Sequence, residues 1–198
     1  MRSSLRLTAA LAAILTSASC GSVVRQSRSP VIVTVNSLTA GTGNSGFLLS
    51  DVIRMVTSPA PCSAESPCPT VFDDPATALI AVNMKDVTLA PTPNNQVTIN
   101  RYHVDFARAD GRNTPGVDVP YPFDGAATMT IGAGQTGSVA FELVRHTAKA
   151  ETPLVQLINA SSQINTIATV TFYGTDAVGN AIATSGKISV NFANFGDQ

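Results

Sequence analysis

From Val31 onward, apolar residues return at every second position. Val31, Val33 and Val35 alternate with Ile32, Thr34 and Asn36; Ala127, Met129 and Ile131 alternate with Thr128 and Thr130; Val139, Phe141 and Leu143 alternate with Ala140, Glu142 and Val144. A period of two sends successive side chains to opposite faces of a strand, so each run predicts one buried and one wet face. About nine such strands can be marked, with Gly, Pro, Asn and Asp between them. Alternating strand–helix units are absent, which argues against a doubly wound α/β fold and for an all-β, antiparallel sandwich.

Two runs break their own parity. In Val97–Phe106 the apolar positions move from odd (Val97, Ile99) to even (Tyr102, Val104, Phe106), and a β-bulge near Asn100 is the simplest device for that change. A similar change between Met84 and Val87 predicts a second bulge around Lys85-Asp86. One short helix is expected after Thr152, which would cap it, with Pro153 in the first turn and Leu154, Val155, Leu157 and Ile158 on its apolar side. A crossover strand is the alternative there.

Composition narrows the function. The 198 residues are 44% hydrophobic and 13% charged, which is ample apolar material for a core and excludes a disordered chain. Twelve basic residues against 13 acidic ones give a formal charge of -1, too little positive charge for a nucleic-acid surface.

Residues 1–19 read as an export signal. Arg2 and Arg6 precede the apolar stretch Leu7–Leu15, which is too short to span a bilayer. Ser17-Ala18-Ser19-Cys20, followed by Gly21 and Ser22, resembles the processing site of bacterial lipoproteins, although Ser17 stands where that family usually has a large aliphatic residue. The resemblance implies that Cys20 becomes the acylated first residue, and Gly21 is compatible with transfer to the outer membrane. An ordinary secretory signal cut near Ala18–Cys20 is the alternative. Cysteine parity favours the first: Cys62 and Cys68 lie close enough to pair as a disulfide, leaving Cys20 over. Losing the leader removes two basic residues and no acidic ones, so the mature chain has 10 against 13, a charge of -3, and its hold on a membrane would come from acyl chains alone. Residues 20–30 read as the lipidated cysteine and a polar tether, and 31–198 as one β-sandwich domain.

The end of the chain carries a further resemblance. Val170-Thr171-Phe172-Tyr173-Gly174-Thr175-Asp176-Ala177-Val178-Gly179-Asn180 leads into an alternating strand with Ile188, Val190 and Phe192. This is similar to the final hairpin of bacterial immunoglobulin-like and fibronectin-like modules, and it implies an immunoglobulin-like sandwich. The tip suits a turn, since Gly179 and Asn180 tolerate positive φ and Asp176 can accept hydrogen bonds from turn amides.

Catalytic signatures are missing: Gly-x-Ser-x-Gly, His-Glu-x-x-His and phosphate-binding glycine loops do not occur. His103 shares a strand face with Arg101 and Asp105, which suits a solvated cross-strand partner, and His146 lies among Arg145, Thr147 and Lys149 at a strand end. The five residues between Cys62 and Cys68 do not fit a zinc knuckle, so a stapled loop is expected and neither a metal nor a cofactor is. The segment from Asp110 to Asp124 is the candidate binding loop: Asp118 and Asp124 with Asp110 could hold Ca²⁺, and Tyr121 with Phe123 could stack on a sugar. A strap packed over the end of the sandwich is the preferred reading of it. The functional expectation is a non-catalytic binding or structural module of the cell envelope, attached to the membrane by its lipid, with an envelope protein or a glycan as partner and no nucleic acid. The alternatives are a carbohydrate-binding or adhesion module and an envelope hydrolase, the latter requiring His103 or His146 in a pocket beside a serine or carboxylate.

Overall fold

The computed structural model describes residues 28–196, so the expected export signal and the expected lipidation site Cys20 lie outside the described residues. Ten strands are present among them: β1 (Val31–Ala40), β2 (Phe47–Asp51), β3 (Arg54–Val56), β4 (Cys68–Thr70), β5 (Asp74–Met84), β6 (Gln96–Ala107), β7 (Phe123–Gly132), β8 (Gln135–Val144), β9 (Ile164–Asp176) and β10 (Ala181–Ala193). One sheet has the order β1-β5-β8, a second the order β2-β10-β9-β6-β7, and β3 and β4 form a separate two-stranded ribbon. No helix among the described residues is long and apolar enough to cross a membrane.

The period-two pattern does what a half-buried strand requires. Along β9, Ile164, Thr166, Ala168, Val170, Phe172 and Asp176 are buried, while Asn165, Ile167 and Thr175 face outward. The buried faces of both sheets feed one core, and three rings tie them together: Phe141 of β8 meets Phe172 of β9 at 5.4 Å and 87°, and Tyr102 of β6 meets Phe141 at 5.4 Å. Edge-to-face pairs of this kind add about 0.5–1.5 kcal/mol each beyond the area they bury.

Pairing corrects the expectation of an antiparallel fold at one place. β2 runs parallel to β10, from Phe47 opposite Ser189 to Asp51 opposite Ala193, so the larger sheet is mixed. The bulge near Asn100 is present: against both β7 and β9 the register shifts between Ile99 and Arg101, and Val97, Ile99, Tyr102, Val104 and Phe106 are all buried. A second bulge lies in β1, where the register against β5 shifts between Val35 and Ser37 and burial moves from Val31 and Val33 to Leu38 and Ala40. The parity change after Met84 is not a bulge. β5 ends at Met84, the Thr88 amide donates to Asp86 Oδ1, and Val87 is 91% exposed, so the change marks the end of a strand.

Helical content is small. α1 (His146–Lys149) follows β8 directly, and Leu154–Leu157 forms a single 3-10 turn in the place of the expected helix. Leu154 and Leu157 are buried there, three residues apart as a 3-10 turn demands. Thr152 does not cap it; its hydroxyl donates to the Gly116 carbonyl at 2.6 Å, tying this segment to the loop before β7. The folded body also starts before Val31, because Ser29 is 1% exposed and the Lys85 amide donates to the Pro30 carbonyl. At the last hairpin, Asp176 Oδ1 accepts the Val178 and Asn180 amides while Gly179 takes φ +87°.

Candidate functional site

Charged side chains gather where β5 begins and β8 ends. The two strands pair antiparallel, and the register slips between Asp74 and Pro75, with Asp74 opposite Val144 and Pro75 opposite Glu142. β8 then passes through Arg145 into α1. This brings Asp73 and Asp74 against Glu142, His146 and Lys149, although some 70 residues separate the two groups in the chain.

One half of the cluster is largely withdrawn from water, with the Asp74 side chain 18% exposed. Lys149 leaves 2% of its side chain exposed, and its Nζ lies 2.9 Å from Asp74 Oδ2. The same oxygen accepts a 2.6 Å hydrogen bond from the hydroxyl of Ser50, which is fully buried at the end of β2. Burial pushes the Asp74 carboxyl above its ordinary value, with the negative charge of Asp51 adding to the rise, while Lys149 and Ser50 pull against it.

The other half is open to water. His146 donates its backbone N–H to Asp73 Oδ1 at 2.5 Å, and its Nδ1 lies 2.7 Å from the same oxygen. The Glu142 carboxyl hydrogen-bonds that of Asp73, and this contact, helped by His146, holds Asp73 down to about 2. Desolvation, followed by the same contact with Asp73, lifts Glu142 to about 7. At neutral pH the two carboxyls therefore share a proton that Glu142 gives up near neutrality. The Glu142 backbone N–H donates to the Tyr102 hydroxyl at 3.1 Å, and Arg145 lays its guanidinium 4.3 Å from the Phe123 ring, its buried Nε lacking a hydrogen-bond partner. Ligand atoms of Asp73, Glu142 and His146 all lie within 4.8 Å of one another.

A cleft of about 410 Å³ adjoins the cluster, with Asp73, Asp74 and Lys149 on one wall and Arg54 and Phe72 among its other lining residues. Arg54 sits 5.6 Å from the centre of the Phe72 ring beside the β3–β4 ribbon, where Cys62 and Cys68 form a disulfide with their Cα atoms 5.4 Å apart.

The loop singled out from sequence is spread over different environments. Asp118 Oδ2 accepts the Thr114 amide within the loop, and Val119 and Pro120 are buried. Tyr121 is 48% exposed, with its ring laid over Gly116, where any Cβ would overlap it. Phe123 is 7% exposed in the core against Tyr102, so the two rings do not present a common stacking face. Asp124 points outward as the cross-strand neighbour of His103, 3.2 Å from its Nδ1, and also accepts from Arg101. His103 thus has the solvated partner its strand position suggests. His146 has a carboxylate neighbour that the sequence did not disclose: Glu142 near the end of β8 and His146 and Lys149 in α1 are close in the chain, but the Asp73-Asp74 doublet reaches them only through strand pairing. No family model matches the chain, and no curated protein matches it.

Proposed function

We propose that the chain is an exported cell-envelope lipoprotein, anchored through Cys20 and destined for the outer membrane, whose immunoglobulin-like β-sandwich acts by binding or structural support and not by catalysis. The observation that carries this reading is the strand order. A three-stranded sheet β1-β5-β8 beside a sheet in which β10, β9, β6 and β7 follow one another, with β2 added in parallel to β10, is the order expected of an immunoglobulin-like or fibronectin-like sandwich and supports that reading. Function on such scaffolds resides in surface patches, and here the charged groups of Asp73, Glu142 and His146 at the β5–β8 end offer one. The stretch from Gly21 to Arg28 spans at most about 28 Å when extended, so the module works close to its bilayer. Changing Cys20 to Ser should move the protein from the detergent phase to the aqueous phase on phase partitioning, and unchanged partitioning would defeat the anchor. Crosslinking in native membranes, followed by identification of what is captured, tests the binding role. The exposed ring of Tyr121 favours one second reading, glycan binding, for which Tyr121→Ala should abolish retention on a glycan column.

A further inference from the structure

We propose that Asp73, Glu142 and His146 bind a divalent transition-metal ion of the zinc class at the rim of the β5–β8 cleft. The three side chains come from the residue before β5, from β8 and from the first residue of α1, and their ligand atoms already lie within 4.8 Å of one another. Two carboxylates and one imidazole form a donor set suited to Zn²⁺ and its neighbours. Ca²⁺ calls for six to eight oxygens, and Mg²⁺ for a near-octahedral oxygen shell. Two of the three donors are positioned by bonds to backbone groups. The His146 amide fixes Asp73 through one carboxylate oxygen, and the backbone N–H of Glu142 is tied to the buried hydroxyl of Tyr102. Such supporting contacts are what keep metal ligands in place.

Charge points the same way. A bound cation could replace the proton that the two touching carboxyls share; the nearby charge of Arg145 favours ionised Glu142, but its guanidinium lies over the Phe123 face. A divalent ion would neutralise both carboxylates, with His146 binding as the neutral imidazole and the displaced protons leaving to solvent. The site is reachable, since the side chains of Asp73 and His146 are 49% and 55% exposed. Three protein donors leave a coordination position for water or for a ligand, and Asp73 also lines the cleft of about 410 Å³, so an ion here would stand at the edge of a space able to take a small molecule or a side chain of a partner.

The test is calorimetric titration of the full chain with ZnCl2, MnCl2 and CaCl2 at neutral pH, paired with thermal unfolding with and without each salt. Glu142→Gln keeps the shape of the side chain and His146→Asn keeps a short polar group, while His103→Ala removes the other carboxylate-paired imidazole as a control. One Zn²⁺ equivalent should bind to the wild type and raise its midpoint, weakened by roughly 10- to 100-fold or more in the first two variants and unchanged in the control. If His146→Asn fails to fold by circular dichroism, Glu142→Gln alone decides. Absence of Zn²⁺ binding, affinity unaltered in Glu142→Gln, affinity lost in His103→Ala, or preference for Ca²⁺ would each overturn the proposal.

Discussion

Replacing Lys149 with Met removes a charge from the dry half of the cluster and keeps most of the side chain's length, so the change tests electrostatics with little cavity cost. Asp74 is then left with the Ser50 hydroxyl as donor and Asp51 as a like-charged neighbour. It can remain ionised without its cation, or it can take up a proton. Protonating a carboxyl whose unfolded value is about 3.9 costs 1.36 kcal/mol for each pH unit above that value, or about 4 kcal/mol at pH 7. The cheaper course prevails, so about 4 kcal/mol bounds the Asp74 contribution. Relief of the desolvation of Lys149 itself offsets part of it, and we expect a net loss of ~2–4 kcal/mol, in the range found when one partner of a buried pair is removed.

The sign of the pH dependence follows. A carboxyl raised in the folded state binds its proton more tightly there than in the unfolded chain, so stability falls as pH rises from the unfolded value toward the folded one. Asp74 is already raised in the wild type and is raised further without Lys149, so the gap between the two proteins widens with pH and shrinks to ~1 kcal/mol near pH 5. Urea unfolding at several pH values, extrapolated linearly, measures this gap. In the double variant Asp74→Asn with Lys149→Met, most of the loss should return, because the stranded charge and not the missing bond is what destabilises. A loss under ~1 kcal/mol at neutral pH, or one that does not change between about pH 5 and 7, would show that the pair is not the dry contact described.

Two further changes probe the frame. Gly174 of β9 lies opposite Ile99 at the β6 bulge, and a methyl group there would overlap the Thr98 carbonyl, backbone against backbone; Gly174→Ala should cost ~2 kcal/mol or more in chemical unfolding. Burial pushes the Asp176 carboxyl up, but the hydrogen bonds from Asn180, Ser29 and Val178 together outweigh it and hold it below its ordinary 3.8. Its contribution, ~1–2 kcal/mol by comparison with Asp176→Ala, is thus fully present above the unfolded value and fades as pH falls, so acid titrations of the two proteins should converge toward the lowest pH.

What could be read from the sequence was set by how local the cause is. Alternation in β9 is a property of neighbours, and it was legible; so was the bulge at Asn100, because the apolar parity flips inside an unbroken strand. The bulge in β1 leaves the same mark, from Val35 to Leu38, but the run Thr39-Ala40-Gly41-Thr42-Gly43 behind it reads as loop and hides the return to strand. β2 inverts the usual rule. Leu48 and Ser50 are buried while Phe47 and Leu49 are 43% and 49% exposed, since Ser50 faces the Asp74–Lys149 pair and the more apolar neighbours are left outside. A serine that is buried to donate to an aspartate on another strand gives no periodic signal. Lys149 itself reads as a solvated charge at a strand end. The open cluster was hidden for the same reason: Glu142 and His146 are visible as neighbours, but Asp73 joins them only through the β5–β8 ladder.

The doublet Asp73-Asp74 explains how one short stretch serves both halves of the site. Successive residues of an extended chain point to opposite sides, so Asp74 turns inward to Lys149 and Ser50 while Asp73 turns outward to His146 and Glu142. On the facing element, His146 and Lys149 open and close the single turn of α1 and divide in the same way, one imidazole outside and one ammonium inside. The two halves are therefore geometrically linked. The dry ion pair clamps the start of β5 to α1, and that clamp fixes the spacing between Asp73 and His146, which exposed side chains alone would hold only loosely and at the cost of rotamer entropy. Rigidity is generated where water is excluded and used one residue away, where ligands can arrive. Loss of Lys149 should accordingly loosen the outer donors even though it touches none of them.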